Sequence, residues 1–222
     1  MLTVTGRKGA GRGKGEAGFS LIELLVALGV TLVIMVIASK MLAMSMFVRQ
    51  RENQRSEAVA DVQRALHTMS REISNAGLGM SNNGLVAADS DSISLRIRSN
   101  LNAFCGAGAA CDNDTLDPGE DIVYALINNT TGGTENQQLV TRQDVNNGNA
   151  ISALANRIDT LKFEYIDDTG ALNADESQAQ KVRITVTVLL PPVGSPGQPG
   201  FQPPSQMQLT SDAVLRNTLL DQ

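Results

Sequence analysis

Residues 19–39, FSLIELLVALGVTLVIMVIAS, form an apolar run broken by a single charge, Glu23. Nothing else in the 222-residue chain constrains its fold so tightly. As a helix, about 21 residues at about 1.5 Å each reach about 32 Å, the thickness of a bilayer's hydrocarbon core. Ser20, Gly29, Thr31 and Ser39 are the only other exceptions to the apolar pattern. Lys40 follows where the far interface falls, and its long stem can carry the ammonium back to water. A carboxylate inside hydrocarbon costs about 2.5–3.5 kcal/mol on insertion scales, so Glu23 calls for a partner.

The flanks set the orientation. Residues 1–18 are glycine-rich and basic, with Arg7, Lys8, Arg12 and Lys14 against Glu16. They lack an apolar period and read as a leader on the cytoplasmic side, with the remainder exported. Beyond residue 18 the balance reverses to 14 basic and 22 acidic residues, which argues against nucleic acid as a partner. No basic stripe interleaved with aromatics appears. Aromatics are scarce (no Trp, two Tyr, five Phe), so Leu, Ile, Val, Met and Ala must fill the core.

The helix continues past the membrane. No proline or glycine interrupts residues 47–76. After a polar collar, Val59, Val62, Leu66, Met69 and Ile73 recur at steps of three and four, one face of a helix. Gly77 and Gly79 read as its stop. The pattern predicts one helix from Phe19 to Ala76, about 58 residues and about 87 Å long. Its second half is amphipathic and needs a domain to cover it.

After Gly79 the period turns to alternation. SISLRIR places Ile93, Leu95 and Ile97 on one face, and DIVYALI reads as a buried strand. TLKFEYID alternates Leu161, Phe163 and Tyr165, and KVRITVTVLL alternates Val182, Ile184, Val186 and Val188. QLTSDAVLRN reads as a last strand. Six of the seven prolines fall in residues 191–205, a loop of polyproline character. The expected fold is α+β, a long N-terminal α-helix packed against a mostly antiparallel β-sheet. The expected segments are a leader (1–18), a transmembrane helix (19–48), an amphipathic half (49–76) and a sheet domain (77–222).

The junction AG|FSLIELLVAL resembles the cleavage and methylation signal of type IV pilins and type II secretion pseudopilins. The leader ends in Gly18, Phe19 follows, and Glu23 is fifth from the cut. The resemblance implies that a membrane-embedded prepilin peptidase cuts between Gly18 and Phe19 and N-methylates the Phe19 amine. Gly18 offers that enzyme a backbone without a side chain. The resemblance further implies that Glu23 meets the N-terminal amine of a neighbouring subunit and sets the axial register, as a buried polar group can in a bundle. VQRALHTMSREISNAGLGM, LKFEYIDDTG, KVRITVTVLL and SDAVLRN are similar to the distal helix and late strands of minor pilins of the PilW type.

Such proteins are implied to prime pilus assembly through contacts with other minor pilins and the major pilin, without catalysis. They are held in inner-membrane lipid with the sheet domain in the periplasm, and then enter the pilus at the cell surface. The minor pseudopilin J of type II secretion shares this layout and is the nearest alternative. A signal-anchored periplasmic enzyme or binding domain is the second.

Three weaker signals remain. Cys105 and Cys111 are the only cysteines; in an exported chain they form a small disulfide loop, and in the cytosol two free thiols. CDNDTLDPGED gathers Asp112, Asp114, Asp117, Glu120 and Asp121. Oxygen-rich clusters suit calcium, for which Asp112, Asp114 and Asp117 are the candidate ligands, although the spacing is not that of an EF-hand. The alternative is a solvated acidic turn. His67, the only histidine, lies beside the apolar stripe and reads as a surface residue; Arg71 and Glu72 read as solvent-facing or as salt bridges to the sheet. No phosphate loop, dinucleotide fingerprint or nucleophile elbow is present.

Overall fold

A computed structural model describes residues 18–86, 93–101, 115–129, 137–173 and 175–217 of the chain. One α-helix, α1, runs from Leu21 to Ser74 without a break. The strands are β1 (Leu85–Val86), β2 (Ser94–Arg98), β3 (Asp121–Asn129), β4 (Gln137–Asp144), β5 (Ala150–Ile166), β6 (Leu172–Asn173), β7 (Lys181–Leu190) and β8 (Ser205–Val214). A 3₁₀ turn spans Glu176–Gln178. The sheet order is β1-β2-β3-β4-β5-β7-β8, with β6 beside β5, and every pairing is antiparallel. The expected α+β fold, a long helix on an antiparallel sheet, is the observed one.

The distal half of α1 lies across β5, β7 and β8. Val62, Met69 and Ile73 are fully buried, and Ala58, Ala65 and Leu66 nearly so. Val59 is only half-buried, so the buried stripe starts at Ala58 instead. The alanines let the helix come close to the sheet, where Val182, Ile184, Val186 and Val188 of β7 and Leu161 and Phe163 of β5 meet it. On β2, Leu95 and Ile97 are buried, whereas Ile93 precedes the strand and is 45% exposed. β4 had no sequence signal. QQLVTRQD carries two apolar residues, and neighbours on both sides rather than its own pattern hold it as a strand.

Three hydrogen bonds shape the exit of α1. Asn75 is the C-cap, and Gly77 and Gly79 follow at φ 74° and 72°, the left-handed stop read from the sequence. The Gly77 amide donates to the Arg98 carbonyl (2.8 Å), the Arg98 amide to Gly84 (2.7 Å) and the Asn100 amide to Leu78 (2.7 Å). The helix end is thereby stitched to β2.

The proline-rich segment departs from expectation. It is not a polyproline run, because Gly194, Gly197 and Gly200 all take positive φ and fold it into turns. Val193 and Gln202 bridge its two legs, and β8 already begins at Ser205. The segment is fastened to the middle of α1. Arg51 donates to the carbonyls of Pro191 and Pro203 (2.5 Å each) and to Ser205 Oγ (2.8 Å). A Cβ on Gly200 would stand 2.8 Å from Met44 Cα, so backbone meets backbone there. Arg51→Ala should free this segment while leaving the sheet folded. Charge-assisted bonds of this kind are worth about 1.5–3 kcal/mol each when desolvated and less at a surface. The expected readout is faster amide exchange confined to residues 191–204.

Candidate assembly site

Among the described residues, α1 is exposed on every side from Leu21 to Leu42 and first meets the proline-rich segment at Met44 and Phe47. Phe19 and Leu21 are each 83% exposed, and the large apolar side chains from Ile22 to Ile37 are more than half exposed. Apolar exposure continues through Met41, Leu42, Met44, Met46 and Val48. The two hydroxyls inside the run satisfy themselves. Thr31 donates to the Ala27 carbonyl (2.6 Å) and Ser39 to that of Met35 (2.8 Å), as hydroxyls in an apolar helix must. This helix is long and apolar enough to cross a membrane.

At its start, Ser20 is the N-cap in an extended conformation, and its side chain makes no cap bond. Its carbonyl accepts the first helical bond, from the Leu24 amide (3.1 Å). Glu23 falls in the first turn, where the dipole and unpaired amides favour an anion. No ion pair or hydrogen bond reaches its carboxylate among the described residues. Gly18 stands clear, with nothing within 4 Å of where a Cβ would be. The arrangement is an accessible peptide bond, a hydrophobic first residue and an unpaired carboxylate one turn on. It can be cut, and it can accept a cation from outside the chain.

A second polar cluster holds the sheet domain to the helix. Glu72 accepts from Arg142 Nε (2.9 Å) and from the Tyr124 hydroxyl. Burial first, and then the Glu72 charge, drives the Tyr124 phenol far above its ordinary range. Of the sequence's salt-bridge pair, Glu72 thus docks β3 and β4 while Arg71 is exposed, as is His67. Tyr124 and Arg142 carried no sequence signal as partners, since they are 52 and 70 residues from Glu72.

The acidic segment divides. Glu120, 1% exposed, accepts from the amides of Leu101 (2.7 Å) and Asp117 (3.1 Å). Asp121 accepts from Arg96 (2.7 and 2.6 Å) and Arg98 (2.9 Å). These two carboxylates are committed to the protein's own donors. Cys105, Cys111, Asp112 and Asp114 lie outside the described residues, as do residues 1–17.

Burial pushes the Asp121 carboxyl up, but the arginine hydrogen bonds outweigh it and leave it below the usual range. A carboxylate with a depressed folded pKa stabilises above its unfolded value, about 3.9, and loses that contribution as pH falls through the folded value. Thermal stability should therefore drop below about pH 4. Asp121→Asn should cost about 1.5–3 kcal/mol at pH 7 and flatten that acid limb, measured by melts across pH.

Residues 13–39 match the family model of the prokaryotic N-terminal methylation motif. No curated protein and no solved structure matches the chain.

Proposed function

We propose, from the premise that residues 13–39 carry a type IV prepilin-like signal, that the chain is a minor pilin of the PilW type. The motif supports a pilin or a pseudopilin alike and implies processing by prepilin peptidase and assembly with other pilins. The finer reading is a structural subunit, not an enzyme, that primes pilus assembly after cleavage at Gly18–Phe19. One observation carries it. The matched motif opens a helix that is exposed on every side from Leu21 to Leu42 among the described residues. Such a surface is stable only in lipid or among like helices. The subunit waits in the inner membrane with its N-terminus cytoplasmic and its sheet periplasmic, then passes into the filament.

Mass spectrometry of the protein from its native membrane tests this. The expected product begins at N-methyl-Phe19. An uncut chain, or one cut downstream of the apolar run, would overturn the reading. The filament itself is identified by which one the labelled subunit co-purifies with, a pilus or a secretion pseudopilus.

Two smaller proposals accompany it. Cys105 and Cys111 pair after export, which a mass gain of about 2 Da on reduction checks. Asp112, Asp114 and Asp117 hold calcium, which a chelator-sensitive melting temperature checks.

A further inference from the structure

Among the described residues β8 forms one edge of the sheet; it is ten residues long and paired only to β7, in one unbroken register. The Leu215 amide donates to the Gln180 carbonyl (2.9 Å), so odd-numbered residues of this strand turn their backbone groups toward β7. The even-numbered ones, from Gln206 to Val214, turn their amides and carbonyls to the free edge. No backbone partner meets them among the described residues.

Native edges are usually blunted by lysines, prolines, bulges or inward charges. β8 has none of these. Its one charge, Asp212, is neutralised by Arg183 (3.0 Å) and Lys181 (3.8 Å) on β7. Burial outlines the vacancy further, since Met207, Leu209 and Ser211 on its helix side are only half-buried. At its far end stands the exposed cation Arg216, without an ion pair among the described residues. The Arg216 amide is tied to the Ser74 carbonyl (3.2 Å), which keeps this basic end beside the helix.

We infer that β8 receives an extended segment from a different subunit of the assembly, added as a ninth strand, with an acidic residue facing Arg216. The occupant is an extended backbone because the edge offers alternating donors and acceptors and little side-chain chemistry. It is not a second copy paired antiparallel through β8. The two-fold axis of that pair stands perpendicular to the sheet and reverses every direction within it. The copy's apolar helix would then point the opposite way, out of the shared membrane. This inference rests on the pilin reading above.

The test uses the full chain in its own membrane, with a photoreactive benzoylphenylalanine in place of Gln208. The expected adduct maps by mass spectrometry to one extended segment of another subunit that has its own N-terminal methylation motif. Thr210→Pro removes an outward amide and no backbone bond to β7, only the long 3.5 Å hydroxyl contact with Thr185, at a position where an edge strand tolerates proline. It should lower adduct yield by about tenfold and move the melting temperature by less than about 2 °C. Leu209→Pro, by contrast, breaks a bond to β7 and should destabilise the sheet. If Thr210→Pro fails to fold, Thr210→Lys, an edge lysine, serves in its place. An adduct on this chain or on a second copy, the absence of a protein adduct, or a yield that both variants leave intact overturns the inference. The same sample is read for cleavage at Phe19. A cut chain without the adduct defeats this inference alone, and an uncut chain defeats the pilin reading too.

Discussion

Glu23→Ala should leave the subunit inserted, cleaved and folded, yet lower its entry into filaments by about tenfold or more. The substitution removes the insertion cost of a carboxylate, about 2.5–3.5 kcal/mol, so residence in the membrane becomes easier rather than harder. What it takes away lies outside the subunit. Within its own chain the carboxylate has no partner among the described residues, and the sheet lies on the other half of the helix. On the proposed reading, the amine that cleavage creates at Phe19 is the cation of matching depth. Close charge pairs at interfaces couple by about 1.5 kcal/mol or more, which is about tenfold in affinity. Filament content of the labelled subunit, measured against its membrane pool, reads this directly. Glu23→Asp should recover part of the loss, because the charge is kept on a shorter arm. Wild-type incorporation of the alanine variant would defeat the register argument.

Gly84→Ala should be the most damaging single methyl in the sheet domain. Gly84 has φ 70°, in the left-handed region, and a Cβ there would stand 2.0 Å from the Gly77 amide nitrogen and 2.2 Å from the Arg98 carbonyl. Both obstacles are backbone, so neither can rotate away. Both also belong to the stitch that ties the end of α1 to β2, in which Gly77 donates to Arg98 and Arg98 to Gly84. Making room breaks that stitch and leaves buried amides unpaired at about 1–3 kcal/mol each, besides the backbone strain. The expected loss is at least about 3 kcal/mol. It is seen as a large fall in melting temperature or in periplasmic accumulation. Gly119→Ala is the useful contrast, since its φ is also positive but nothing lies within 4 Å of its Cβ position. It should cost about 1 kcal/mol or a little more, from strain alone.

Legibility followed the range of the interactions. α1 could be read from Phe19 onward because its signals are local: an unbroken apolar run, then apolar steps of three and four, then Gly77. β7 could be read because Val182, Ile184, Val186 and Val188 alternate with polar residues over its buried face. β4 could not, because Gln137–Asp144 is a strand only by virtue of β3 and β5 on its two sides. The proline-rich loop was placed correctly but misjudged in conformation. Proline content argues for extension, while three glycines at positive φ and an arginine at a distance of 140 residues decide otherwise. At the candidate site, Gly18, Phe19 and Glu23 were singled out by their order along the chain, inside the stretch that matches the methylation motif.

The sequence by itself determined the helix of membrane-spanning length and the methylation motif that opens it. Each depends on residues within a few turns of one another, and on transfer energies that hold wherever the rest of the chain goes. Only the tertiary structure decided which groups became available. It committed Glu120 and Asp121 to the protein's own amides and arginines, placed Glu72 between Tyr124 and Arg142, and left β8 unpaired along one side among the described residues. Whether a polar group is satisfied depends on which distant segments surround it, and a linear pattern carries no record of those neighbours.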